Sequence, residues 1–126
     1  GMKTFKSLNY KPLPNRTNIV ITRNKYAFKQ NKENLYFLNS IDAVLLFLEI
    51  KKINKKTVFI IGEEAIYKLF LPICNKIILT RIKKTFLADT FFPNIISSGE
   101  WKRESIIDNY TEKEIKFLIE IFVKVK

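Results

Sequence analysis

The segment from Thr57 to Leu71, TVFIIGEEAIYKLFL, joins an apolar run to a helical pattern through one glycine. Val58 to Ile61 is apolar without alternation, which is typical of a strand buried on both faces. Gly62 permits a tight turn or a close approach, and the apolar residues after it recur at helical spacing. The pattern predicts a strand, a glycine turn and a helix whose first amides could bind a phosphate-bearing ligand. An ordinary strand-to-helix turn stays open as the alternative, since one glycine is a far weaker signal than GxGxxG.

Several kinds of chemistry are disfavoured by composition. The sequence contains no histidine and one cysteine, Cys74. Catalytic Ser-His or Cys-His pairs and histidine metal sites are therefore excluded for these residues, and no internal disulfide can form. No apolar run approaches the ~20 residues that span a bilayer, and the first residues lack the apolar segment of a secretory signal. We expect a metal-free cytoplasmic protein.

The net charge of +11 favours a polyanionic ligand. Nucleic acid, a membrane surface and a phosphorylated cofactor would each fit this charge. The lysines are scattered, however, and aromatic residues are not interleaved with them as a single-strand binding platform requires. We therefore expect neither nucleic acid nor membrane as a partner.

The order of the predicted elements indicates one α/β domain across residues 1–126. The apolar patterns predict a mainly parallel sheet with an antiparallel C-terminal edge. A loop is expected over Tyr26 to Asn34, and a helix capped by Ser40 from Ile41 to about Lys52. Besides Val58 to Ile61, the predicted strands are Thr17 to Thr22, Leu35 to Leu38, Lys76 to Ile82, Trp101 to Ile107 and Glu114 to Val125, and further helices begin near Gly1 and after Gly62.

Six blocks of the sequence resemble the dihydrofolate reductase family, in the family's order and spacing: GMKTFKSL, PLPNRTNIVITRN, NSIDAV, VFIIGEEAIYKLFLP, LTRI and DTFFP. The resemblance covers essentially the whole chain. It implies a dihydrofolate-reductase-like α/β fold with helices on both faces of the sheet. It also implies NADPH-dependent reduction of 7,8-dihydrofolate to tetrahydrofolate, an oxidoreductase step of one-carbon metabolism and tetrahydrofolate biosynthesis.

The resemblance implies three groups of NADPH-binding residues. The first group would contact the pyrophosphate, the second the 2′-phosphate, and the third would run along the nicotinamide and pyrophosphate, with Tyr67 near the nicotinamide. Glu63 stands where the family normally has a second glycine, joined to the first by a cis peptide bond. In chain order the groups are Lys3 and Thr4; Thr22, Arg23 and Asn24; and Ile61, Gly62, Glu63, Glu64, Ala65, Ile66 and Tyr67.

A second set matches the folate-binding residues of the family. Arg16 would grip the α-carboxylate of the substrate's glutamate tail, a bidentate task that suits a guanidinium. Leu8 and Leu13 would form apolar walls around the aminobenzoyl group, although both could also be plain core residues. Ile61 and Tyr67 are shared with the cofactor site. Thr80 matches the threonine that orients the catalytic acid.

In the family, roughly forty residues precede the GMKTF-like block and supply the first strand and the catalytic acid. The sequence therefore predicts an N-terminally truncated domain with no catalytic residue of its own and weak or no turnover by these residues alone. Three possibilities are open: the segment exists in the native gene, a second copy of the chain donates strands, or the remaining strands close up. We favour a homodimer or a rearranged sheet. The alternative function is a non-catalytic nucleotide-binding remnant or oligomerising interaction domain, and the related reductase domain of riboflavin synthesis is less favoured.

Overall fold

The computed structural model describes residues 1–88 and 91–125, except for the side chains of Lys25, Phe28 and Lys29. The chain forms two compact units, Gly1–Phe70 and Leu71–Lys126. One parallel and one antiparallel sheet occur together with helices, which confirms the predicted mixed α/β class. Among the described residues no helix is long and apolar enough to cross a membrane.

The first unit contains three α-helices and a two-stranded parallel sheet. Strand β1 pairs with β2 so that Val20 lies opposite Phe37. Two short 3-10 helices, Lys25–Gln30 and Lys55–Thr57, connect the larger elements. The bounds are α1 Met2–Ser7, β1 Asn18–Ile21, β2 Leu35–Leu38, α2 Ile41–Ile50 and α3 Glu64–Phe70.

Helix α2 begins where the sequence predicts. The Ala43 N–H donates to Ser40 Oγ at 3.0 Å, and Asp42 lies in the first turn, where a negative charge is favourable to the helix dipole. The core of this unit is formed by buried residues of α1, both strands and the first 3-10 helix: Phe5, Val20, Ala27, Leu35 and Phe37. These contacts position α1 against the sheet.

The second unit is built on a three-stranded antiparallel sheet in the order β3-β5-β4. Its strands are β3 Lys76–Ile82, β4 Trp101–Glu112 and β5 Ile115–Lys124. A 3-10 helix, Leu71–Ile73, precedes them. The core of this unit contains Ile77, Ile95, Trp101 and Phe122, so one face of the sheet is packed by the segment that joins β3 to β4.

Two predicted elements were wrong in detail. Val58 to Ile61 is not a strand: Phe59 and Ile61 are 73% and 52% exposed, and no ladder pairs this segment within the described residues. An apolar run becomes a strand only where a neighbouring strand provides its hydrogen bonds. The predicted loop from Tyr26 contains part of a 3-10 helix. Asp89 and Thr90, at the start of the DTFFP block, lie outside the described residues.

Candidate functional site

The start of α1 and the Gly62 turn meet in the first unit. The Gly1 nitrogen donates to the Gly62 carbonyl oxygen at 2.7 Å, and the Phe5 N–H donates to the Gly1 carbonyl oxygen at 3.1 Å. Gly1 thus lies at the start of α1 and is also hydrogen-bonded to the turn that precedes α3. Burial lowers the pKa of the Gly1 amino group, and the nearby Glu63 carboxylate opposes that shift.

Gly62 is buried and enclosed by two hydroxyl groups. Its φ of +130° is rarely adopted by residues with a side chain. A Cβ at this position would lie 2.8 Å from Thr4 Oγ1 and 3.5 Å from Tyr67 Oη. The structure therefore brings together Thr4, Gly62 and Tyr67, which come from three separate places in the sequence. The glycine is needed both for the backbone conformation and for the space.

Glu63 follows Gly62 and packs toward the start of α1. The Gly62–Glu63 peptide bond is cis, as the resemblance implies for this position. A Cβ added at Gly1 would lie 2.8 Å from Glu63 Oε1 and 3.0 Å from Ile66 Cγ1. Glu63 Oε2 is buried and accepts no hydrogen bond from the described residues. Buried acceptors are normally paired, so this oxygen is an exception among the described residues.

Helix α3 fixes the remaining residues of this cluster. The Tyr67 N–H donates to the Glu63 carbonyl oxygen at 2.8 Å, which closes the first turn. Burial raises the pKa of the Tyr67 phenol, so its hydroxyl stays protonated near neutral pH. Glu64 forms an ion pair with Lys68 at 2.9 Å. Ala65 is exposed, as is Ile61 on the other side of the turn, so neither adds to the enclosure of Gly62.

Thr22, Arg23 and Asn24 lie together at the carboxyl end of β1. The Thr22 N–H donates to the Leu38 carbonyl oxygen at 2.9 Å, which fixes this end of the strand to β2. The Asn24 N–H donates to Thr22 Oγ1 at 3.2 Å. Arg23 is exposed and makes no ion pair with the described residues. The result is a cation beside a hydroxyl at a strand end. Lys3 is likewise exposed, on α1.

The predicted folate-binding loop is held by a residue that the sequence analysis missed. The Leu13 N–H donates to Asn18 Oδ1 at 2.8 Å, and Asn18 Nδ2 donates to the carbonyl oxygens of Leu13 at 2.9 Å and Arg16 at 3.0 Å. The Arg16 Nε donates to the Pro14 carbonyl oxygen at 2.9 Å. Leu8 and Leu13 are half-buried. An asparagine just after a proline-rich turn was the available signal, because its amide readily bonds to nearby backbone.

Thr80 lies in the second unit, on β3, where it pairs with Ile119 and its side chain is exposed. The other predicted site residues all belong to the first unit. Of these, the close cluster consists of Thr4, Gly62, Glu63, Ile66 and Tyr67. The structure thus groups part of the predicted cofactor set and describes the strand-end group and the Arg16 loop as separate features of the same unit.

The first unit thus carries an exposed cation at a strand end and a glycine turn enclosed by two hydroxyls. The model of the family described as "Dihydrofolate reductase" matches residues 1–124. The chain belongs to the dihydrofolate reductase family, which confirms the resemblance seen in the sequence.

Individual relatives agree with this membership. The chain is 37% identical over 116 residues to dihydrofolate reductase of Staphylococcus haemolyticus, covering 92% of this chain and 61% of the relative. It is 39% identical over 100 residues to dihydrofolate reductase of Heliothis virescens, covering 75% and 54%. A bifunctional dihydrofolate reductase-thymidylate synthase of Plasmodium chabaudi is 35% identical over 132 positions, covering 100% and 22%. The chain therefore spans little more than half of the first two relatives.

Proposed function

We propose that this chain is part of a dihydrofolate reductase that uses NADPH to reduce 7,8-dihydrofolate to tetrahydrofolate. The observation that carries the proposal is the meeting of Thr4, Gly62 and Tyr67 in a chain that belongs to this family. We expect weak or no turnover by these residues alone and assign none of them as the proton donor. The cytoplasmic location predicted from composition stays a prediction.

The residues around Gly62 fit a dinucleotide. Because Gly62 has no side chain, the Thr4 hydroxyl lies against its backbone, in the space that a Cβ would take. The Thr4 hydroxyl would donate to a phosphate oxygen, and the Tyr67 hydroxyl would orient the ring that carries the hydride. Glu63 Oε2 is a buried acceptor without a partner among the described residues, so it suits a ribose hydroxyl or a carboxamide N–H, and not a phosphate. When bound, NADPH supplies the hydride.

Arg23 and Thr22 support NADPH over NADH. A guanidinium can hold two phosphate oxygens at once, and a hydroxyl beside it can add a third hydrogen bond. Arg23 is exposed and has no ion-pair partner among the described residues, so its charge is available to the 2′-phosphate. NADH lacks this phosphate and would lose these contacts.

The folate would be positioned by the loop that Asn18 holds. Arg16 would bind the α-carboxylate of the glutamate tail, and Leu8 and Leu13 would contact the aminobenzoyl ring. The three hydrogen bonds between Asn18 and the backbone of this loop limit its motion, so these side chains would need little reorganisation on binding. By the resemblance, Thr80 would orient the catalytic acid.

We also propose that a second copy of the chain completes the first unit. Its sheet contains β1 and β2 alone in the described part of the chain, and a two-stranded sheet is marginally stable in water. The outer edges of both strands present backbone groups that another strand could pair. Light scattering after size exclusion would show a dimer, whereas a monomer at the highest attainable concentration would contradict this proposal.

The cofactor proposal is tested by thermal shifts with NADPH and NADH. A ligand bound only by the folded state raises stability by about 2.7 kcal/mol at a hundredfold excess over its Kd, so NADPH should raise Tm more than NADH. Arg23→Ala should abolish that difference, whereas Arg16→Ala, which removes the same charge from the folate loop, should preserve it. Equal shifts for the two nucleotides would favour a non-catalytic nucleotide-binding remnant, and no shift with either would favour an oligomerising interaction domain.

A further inference from the structure

A buried carboxylate lies between two arginines on the sheet of the second unit. Glu120 on β5 is 3% exposed and is the one polar or charged residue classed as buried in the described part of the chain. Its Oε1 accepts from Arg81 Nε at 2.6 Å, and its Oε2 accepts from Arg103 Nη1 at 3.1 Å. Arg81 comes from β3 and Arg103 from β4, so one side chain of the central strand is bonded to both edge strands.

This cluster carries one more positive charge than negative. Burial alone would raise the pKa of Glu120, but the hydrogen bonds and charges of Arg81 and Arg103 outweigh burial and hold the pKa below its usual value. Glu120 is therefore ionised near neutral pH. It balances one guanidinium, and the second leaves a surplus of one unit charge.

The arginines keep unused donors on their outer side. Their side chains are 42% and 53% exposed. Each guanidinium has five N–H donors in a fixed fork, and the bonds to Glu120 are the only hydrogen bonds that the side chains of Arg81 and Arg103 donate to described residues. Because Glu120 holds both guanidiniums in place, their remaining N–H groups are oriented before any ligand arrives.

An open cavity of about 440 Å³ lies beside this pair. Its polar lining is Arg81, Arg103 and Glu120, and its apolar lining is Ile96, Leu118 and Phe122. Ile96 is 70% exposed, which leaves an apolar surface in contact with water next to the surplus charge. The cavity thus combines one net positive charge with an apolar wall.

We propose that this cavity binds a hydrophobic monocarboxylate. Its carboxylate would accept hydrogen bonds from the outer N–H groups of both arginines, and its apolar body would cover Ile96 and Leu118. A monoanion neutralises the surplus charge, whereas a phosphate dianion would bring an excess negative charge toward Glu120. None of the lining residues belongs to the nucleotide or folate sets, so this inference is independent of the proposed reductase activity.

The first test is calorimetric titration of the full chain with octanoate, with octylamine and octanol as controls for charge and for the apolar tail. We expect saturable 1:1 binding of octanoate and none of the controls. A parallel titration with 3-phenylpropionate distinguishes an aryl acid from an aliphatic one. No saturable binding of either acid, or equal binding of octanol, would overturn the proposal.

The matched variants are Arg103→Met and Lys102→Met. Both remove one positive charge from β4, but alternation along the strand places Lys102 on the opposite face, opposite Val123. Since a hydrogen bond to a charged group contributes about tenfold or more to affinity, Arg103→Met should weaken octanoate binding by at least that factor, and Lys102→Met by less than about twofold. Equal losses in the two variants would mean that general charge attraction explains the binding.

A measurement on the unmodified chain covers the case in which Arg103→Met does not fold. Proton-nitrogen spectra should show octanoate shifting the side-chain Nε–H signals of Arg81 and Arg103, and proton-carbon spectra should show shifts of the Leu118 and Ile96 methyl groups. Shifts confined to other parts of the chain would refute the assigned site whatever the affinity.

Discussion

Replacing Gly62 by alanine tests whether the turn and the two hydroxyls form a close-packed unit. The φ of +130° disfavours any side chain, at about 1–3 kcal/mol. The new Cβ would also lie 2.8 Å from Thr4 Oγ1, and overpacking of this kind costs about 1–3 kcal/mol. Since alanine also lowers the entropy of the unfolded chain, which stabilises the fold by about 0.4–1 kcal/mol, we expect Gly62→Ala to destabilise the first unit by roughly 1–6 kcal/mol.

A second glycine separates the two contributions. Gly99 has a φ of +70°, and a Cβ there would meet nothing within 4 Å. Gly99→Ala should therefore lose only the stability that the left-handed backbone conformation denies to a residue with a side chain, about 1–2 kcal/mol. The steric part is isolated by adding Thr4→Ala to Gly62→Ala, which removes the hydroxyl that the methyl group would meet. Thr4→Ser keeps that hydroxyl and should give no such rescue.

The assay must report on each unit separately. Trp101 is the single tryptophan of the chain and is buried in the second unit, so its fluorescence during urea unfolding reports on Gly99→Ala. Amide hydrogen exchange on β1 and β2 reports on Gly62→Ala, because opening free energies are resolved by segment. The close-packed unit around Gly62 is refuted if Gly62→Ala lowers the free energy of unfolding no more than Gly99→Ala does, or if adding Thr4→Ala to Gly62→Ala restores no stability.

Three further outcomes follow from local contacts. Ser40→Ala removes the acceptor for the Ala43 N–H and should lower stability by about 1 kcal/mol in amide exchange of α2, whereas Ser40→Asp should retain most of it. Asn18→Ala removes three hydrogen bonds to the Leu13 and Arg16 backbone and should lower the free energy of unfolding by about 1–3 kcal/mol. In a complete enzyme, the same substitution should raise KM for dihydrofolate more than it lowers kcat. Arg81 and Arg103 lower the pKa of Glu120 in the folded chain. The stability that this carboxylate contributes is therefore fully present above its unfolded pKa of about 4.3 and is lost as pH falls through the lower folded pKa. Urea unfolding followed by Trp101 fluorescence should show this loss of stability in acid, and Glu120→Gln should reduce it.

The elements that sequence predicts well are those whose causes are local. Helix α2 begins at its predicted residue because Ser40 and the apolar spacing act within a few positions of the chain. Strands Leu35–Leu38 and Lys76–Ile82 have the predicted bounds. Val58 to Ile61 has an equally strong apolar pattern, but a strand also needs a partner, and a pattern in one segment carries no information about its neighbour.

The candidate site, like the fold, was predictable from the sequence only in part. Family blocks place Thr4, Gly62 and Tyr67 in one cofactor set, and the structure brings their side chains and backbone together. The role of Asn18 depends on the shape of the preceding turn, which composition alone does not specify. Glu120 had a readable signal, since alternation along β5 places it on the same face as Leu118 and Phe122, where a carboxylate needs partners.

Glu63 stands where the resemblance implies a second glycine, and its side chain lies close to the start of α1. The carboxylate lies against Gly1 and Ile66, which fills space that a glycine would leave open. One of its oxygens remains buried without a donor among the described residues, and an unpaired buried acceptor destabilises a fold by about 1–3 kcal/mol. A bound nucleotide that donates a hydroxyl or amide hydrogen to this oxygen would remove that penalty. Nucleotide binding and the stability of the first unit would then be coupled through Glu63, which a glycine at this position could not do.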